Sequence, residues 1–100
     1  MTIELFAATG DFAENKDIAK KIRLESIEPT IAKGEEIILD FNGVTSATQS
    51  FIHALISNVM REYGVESLDK MLFKNCNENV KTIIGIVVDY VQDGIYTEPE

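Results

Sequence analysis

Hydrophobic positions change period several times along this chain, and each change marks an element. Residues 2–8, Thr-Ile-Glu-Leu-Phe-Ala-Ala, alternate loosely and then meet Thr9-Gly10-Asp11, a turn signal, so a short first strand is predicted over 2–8. From Glu14 the period becomes helical. Ile18 and Ile22, then Ile27 or Ile31, lie near one face with Ala19 beside them, while Lys16, Lys20 and Arg23 share another. Pro29 disfavours helical geometry at Glu28, so this helix is expected to kink or restart there, and Lys33-Gly34 closes it with a cation and a left-handed cap.

Glu35-Glu36 leads into Ile37-Ile38-Leu39-Asp40-Phe41. Three consecutive aliphatic residues fit a central strand covered on both faces. Asn42-Gly43 turns the chain, and Ser46-Ala47-Thr48-Gln49 has the spacing of a capping box, with Ser46 as the expected cap. Phe51, Ile52, Leu55, Ile56, Val59, Met60 and Tyr63 then form a broad apolar stripe at helical spacing, ended by Gly64. A third strand is predicted over Leu68–Phe73. Asn75 and Glu78 have helix-start spacing, and Val80, Ile83, Ile84, Val87, Val88 and Val91 carry a helix over 77–95. The tail, Thr97 to Glu100, is expected to fray. The order β-α-β-α-β-α predicts an α/β layered fold, a small central sheet flanked by helices, in one domain over 1–100.

Composition narrows the functional classes. The 100 residues allow one domain that buries roughly 60–70% of its unfolded surface, enough for a modest core without disulfide or metal. The net charge of −8 is unevenly spread: residues 1–34 balance at −1, with six acids and five bases, whereas residues 35–100 carry eleven acids and four bases. A surface of that sign repels a phosphate backbone, so direct nucleic-acid binding is not expected. Cys76 is the single cysteine, which rules out an intrachain disulfide and makes a reducing cytoplasm the expected home. Neither a secretory leader nor an apolar run of membrane-spanning length is seen, so no membrane role is expected.

Catalytic chemistry has few candidates. His53 is the only histidine, and Ser50 and Ser57 share its helical face, three residues before it and four after. Such neighbours are common on helices and are seldom arranged as nucleophile and base, so an enzyme is not expected. Metal-binding spacings and the glycine patterns of phosphate and dinucleotide loops are absent, so no cofactor or metal is expected. The basic group Lys16, Lys20, Lys21 and Arg23 reads as a solvated helix face. The hydroxyl cluster Thr45, Ser46, Thr48 and Ser50 says more. One hydroxyl is explained by capping, but four in six positions, after the carboxyl end of a central strand, exceed what a cap requires. Loops at that edge of an α/β sheet are where such folds bind. A phosphate placed there would meet the positive end of the helix dipole.

These stretches together resemble a STAS domain, the fold of bacterial anti-sigma factor antagonists and of the cytosolic ends of sulfate transporters. Gly10-Asp11-Phe12 is similar to the Gly-Glu-Leu-Asp turn of that family, and Ile38-Leu39-Asp40-Phe41-Asn42-Gly43-Val44 to its hydrophobic strand. Thr48-Gln49-Ser50-Phe51 falls where the family has Asp-Ser-Ser-Gly, with Thr48 in place of the aspartate and Phe51 in place of the glycine. More narrowly, the chain resembles short prokaryotic STAS-like domains whose function is mostly unassigned. The resemblance implies a non-enzymatic regulatory domain docking a protein partner, a GHKL-type ATPase or kinase, with Ser50 as phosphoacceptor and Thr48 as second choice. Asn42, Thr45, Ser46, Gln49, His53 and Ser57 are then the expected partner-binding residues. The family's last strand and helix are expected to be missing or reduced. Two alternatives use the same features: a small-molecule sensor of nucleotides at the same edge, or a structural homodimeric subunit.

Overall fold

The computed structural model describes residues 1–96, so the expected fraying of the tail lies outside the described residues. The chain runs β1 (Thr2–Glu4), α1 (Leu5–Thr9), β2 (Phe12–Ala13), α2 (Lys16–Ile22), a π-helical segment (Arg23–Ile27) and α3 (Glu28–Ala32). It continues through β3 (Ile37–Asp40), β4 (Ser46–Ala47), α4 (Gln49–Tyr63), a 3-10 segment (Val65–Lys70), β5 (Met71–Lys74) and α5 (Glu78–Tyr96). The principal sheet has the order β1-β3-β5, with both pairings parallel, so β3 is central as its aliphatic run predicts. This is an α/β domain, a small parallel sheet flanked by helices. α4 packs against α2 on one side and α5 on the other.

Along β3, Ile37 and Leu39 are buried, while Ile38 and Asp40 are half-buried. One face of the sheet is therefore closed by the core and the other only partly covered, which corrects the expectation of a strand buried on both faces. The register explains the open side. Thr2, Ile38 and Leu72 form one cross-strand row there, and Glu4, Asp40 and Lys74 the next. The closed face joins Ile37, Leu39 and Met71 to Phe41, Phe51, Leu55 and Ile56 in one core.

The first strand is shorter than its alternation suggests. β1 can pair only as far as β3 extends, and β3 ends at Asp40, opposite Glu4. Beyond that point the ladder has no partner, and Leu5–Thr9 coils instead, with Leu5 buried and the Gly10 amide donating to the Phe6 carbonyl. The third principal strand is trimmed by the same rule. It starts at Met71, opposite Ile37, and Leu68–Lys70 belong to the 3-10 segment before it.

The helix over 16–32 restarts where Pro29 requires it, through a π segment. Pro29 lacks the N–H of a normal helical bond and its ring crowds the preceding turn. The Glu28 amide donates to the Arg23 carbonyl five residues back, and the Thr30 hydroxyl donates to the Ser26 carbonyl at 2.7 Å. Both contacts occupy carbonyls in the disrupted turn. Gly34 takes φ +77° and closes the helix as predicted.

Candidate functional site

All three principal strands point their carboxyl ends at one edge, and the chain gathers its polar side chains there. Phe41 to Val44 make a tight turn, with the Val44 amide donating to the Phe41 carbonyl at 2.9 Å. Gly43 sits in it at φ +91°, and a Cβ there would lie 2.9 Å from Cδ1 of Phe6. Glycine is required twice over, by the backbone and by the ring lying against it. Asp40 at the strand end accepts from the Asn42 amide and from the Asn75 side chain, both at 2.9 Å. These two donors, the Asn75 side chain foremost, hold its carboxyl below the ordinary aspartate value.

After the turn the chain pairs with the loop that follows α1. The Asp11 carbonyl accepts from the Thr45 amide (2.8 Å), the Thr45 hydroxyl (3.0 Å) and the Ser46 amide (3.2 Å), and β2 and β4 form a two-residue parallel ladder. Ser46 is thereby held in a strand and caps no helix. The cap is Thr48, whose Oγ1 accepts from the Phe51 amide at 3.1 Å, so the capping box expected from Ser46 and Gln49 is not the one that forms. α5 shows a similar displacement. Its cap is Asn77, whose Oδ1 accepts from the Val80 amide while its Nδ2 donates to the Thr45 carbonyl. Asn75, the expected cap, instead takes φ +58° and reaches Asp40. Two asparagines of one loop thus tie the start of α5 to the turn before α4, a link with no local sequence signal.

The hydroxyl cluster divides. Thr45 is committed to Asp11, Ser46 is half-buried in β4, and Thr48 caps α4. Ser50 is exposed in the first turn of α4, with its Oγ 3.3 Å from Thr48 Oγ1. Asn42 and Gln49 are exposed on the same edge region of the chain.

His53 is half-buried one turn further along α4. Its ring centroid lies 6.2 Å from that of Tyr90 on α5, and its Nδ1 is 3.3 Å from Ser57 Oγ. Burial first, and then the Arg61 charge, push the imidazole below its ordinary pKa. Ser57 is only 4% exposed, which removes it from the partner-facing surface the sequence suggested. The His53–Ser57 pair has the distance of a base and a nucleophile, but a buried hydroxyl is closed to substrate. Cys76 is half-buried on a different groove, and burial pushes its thiol up, away from thiolate reactivity. Among the described residues, no group of three or more histidine, cysteine, aspartate or glutamate side chains could hold a metal ion. Among the same residues, no helix is long and apolar enough to cross a membrane.

The basic face predicted on α2 is also divided. Lys16, Lys20 and Lys21 are exposed, whereas Arg23 pairs with Glu28 and donates to the Ala54 carbonyl of α4 at 3.1 Å. Arg23 is a strut between helices. Sequence reasoning also missed Phe6 and Phe12, 48% and 42% exposed, whose segments adjoin the 42–47 turn. Isolated from their neighbours in space, both look like ordinary strand residues.

A family model described as a STAS-like domain of unknown function (DUF4325) matches residues 19–81. No curated protein and no solved structure matches the chain.

Proposed function

Since this chain belongs to the STAS-like family, we propose that it is a non-enzymatic regulatory domain that docks a protein partner through the edge around Asn42–His53. Ser50 is its switch. The observation that carries this reading is the state of the Ser50 hydroxyl. It is exposed in the first turn of a fifteen-residue helix and is not the helix cap, because Thr48 fills that role. A side chain so placed is reachable by a kinase. A phosphate on it would sit at the positive end of the α4 dipole and bring a charge of about −1.5 to −2 to a surface made for docking. The partner class that fits is a GHKL-type ATPase or kinase, and the residues meeting it are Asn42, Thr45, Gln49 and His53, with Thr48 as second phosphoacceptor. Phe6 and Phe12 extend the surface with exposed aromatic area of the kind that interfaces favour. A cytoplasmic setting goes with such a partner.

Incubation of the purified chain with a GHKL-type kinase encoded beside it and ATP, followed by intact-mass and peptide mass spectrometry, tests the proposal. One phosphate on Ser50 is expected, lost in Ser50→Ala. If Ser50→Ala and Ser50→Glu both bind that kinase as the wild type does, the switch does not exist.

A further inference from the structure

Between α4 and α5, the mouth of α2 alongside, the surface folds into a groove of about 580 Å³. Ala54, Val87, His53, Ile86 and Tyr90 line it. Ile86 is 44% and Tyr90 66% exposed, so α5 presents two large apolar side chains to solvent beside a concave surface. Pockets of this size that are mostly apolar with a few placed polar groups are the common form of a binding site.

The charge of the groove runs against that of the molecule. The chain has seventeen acids and nine bases, yet among the described residues Lys16 lines this groove and no carboxylate does. Asp17 and Asp89 adjoin lining residues in sequence but are not part of the lining. By helical spacing Lys20 follows Lys16 on α2 and Asp93 follows Tyr90 on α5, so charges of both signs lie beyond the groove and Lys16 is the charged side chain of its lining. Gln49 and Ser50 stand at the same mouth, at the start of α4, where amides lack helical acceptors and the dipole is positive.

We propose that this groove seats an acidic segment of a protein partner, with one apolar side chain lying against Ile86 and the outer face of the His53–Tyr90 ring pair and a carboxylate beside Lys16 and Ser50. The proposal rests on the regulatory reading above and gives the switch a physical basis. A phosphate on Ser50 occupies the position that the partner's carboxylate takes and repels it, so modification and docking exclude one another.

The test is a titration of the ¹⁵N-labelled full chain, followed by amide shifts, with three capped peptides. The first carries leucine and phenylalanine between glutamates. The second replaces the glutamates by lysines, and the third replaces the leucine and phenylalanine by alanines. Saturable shifts at Gln49, Ser50, His53, Ile86 and Tyr90 are expected with the first peptide alone. Lys16→Glu, Tyr90→Ala and Ser50→Glu should each weaken it by roughly three- to tenfold, while Lys33→Glu, an exposed change at the end of α3, should leave it unaltered. Lys16 and Tyr90 are exposed, so an unchanged spectrum elsewhere certifies the fold of those variants. Equal binding of the lysine peptide, shifts confined to other surfaces, or indifference to Lys16→Glu overturns the proposal. So do saturable groove shifts with ATP or GTP and none with the peptides, which would assign the groove to a small molecule. The two readings fail separately: peptide binding without Ser50 modification removes the switch and leaves the groove, and the reverse result removes the groove and leaves the switch.

Discussion

Thr48→Ala is the most informative single change, because it separates two helix starts that differ by two residues. Thr48 Oγ1 accepts from the Phe51 amide at 3.1 Å, and Phe51 is wholly buried, so loss of the hydroxyl leaves that donor without its acceptor next to the core. Replacing a threonine or serine cap by alanine costs about 1 kcal/mol, within a range of about 0.5–2. The entropy of unfolding is about 2.1 cal/mol/K per residue, or about 0.2 kcal/mol/K for a chain of this length, so 1 kcal/mol lowers the midpoint by about 5 °C. Thermal unfolding followed by circular dichroism measures this directly. Thr48→Ser should stay within about 1–2 °C of the wild type, since the oxygen is kept. Thr48→Asp should equal or exceed the wild type, because aspartate both caps and complements the dipole. Ser46→Ala is the control, because Ser46 contributes backbone pairing to Asp11 and no cap. A large loss in Ser46→Ala beside a neutral Thr48→Ala would refute the assignment and restore the capping box that the local sequence suggests.

Two further predictions follow from packing and from charge. Leu39→Ala removes a fully buried side chain from the central strand and should cost about 2–5 kcal/mol, read as a loss of midpoint in urea with little change of slope. His53 has a folded pKa below its unfolded value, so its contribution to stability is present above about pH 6.5 and is lost as the pH falls through that value toward the folded pKa. Melting temperatures between about pH 8 and about pH 5 should therefore fall more in the wild type than in His53→Gln; parallel curves would show that His53 titrates alike in both states.

The order of principal elements was legible because each depends on a period that one segment carries alone. The aliphatic run of β3 and the stripes of α4 and α5 needed nothing else. Element lengths were not legible where a partner sets them. Nothing within Leu5-Phe6-Ala7 says that β3 ends opposite Glu4, and nothing within Leu68-Asp69-Lys70 says that β3 begins opposite Met71. The helix caps failed for a related reason. Ser46 and Asn75 have the right chemistry, but Asp11 and Asp40, each more than thirty residues away in sequence, engage them or the backbone beside them. At the candidate site, the position of Ser50 could be read from the hydroxyl-rich start of α4. The groove beside it could not, since Lys16 comes from α2 and Ile86 and Tyr90 from α5. Ser57 shows the opposite error: it shares the helical face of His53, but that face turns toward α5 and one turn later the hydroxyl is buried.

The π segment at Arg23–Ile27 has a consequence for how this chain tolerates changes of length. The apolar residues Ile18, Ile22, Ile27 and Ile31 are spaced four, five and four apart, and in an uninterrupted α-helix the five-residue step would place Ile27 about 140° around the helix from Ile22. The widened turn absorbs the supernumerary residue, so Ile27 and Ile31 come back to the core that Ala19 faces. The helix thus behaves as an ordinary one carrying a one-residue insertion, accommodated locally and leaving the strands at its two ends in register. A relative lacking one residue between Arg23 and Pro29 would have the same inward-facing set on a regular helix. A one-residue change of length at this point is a change of helical phase that the turn itself can take up.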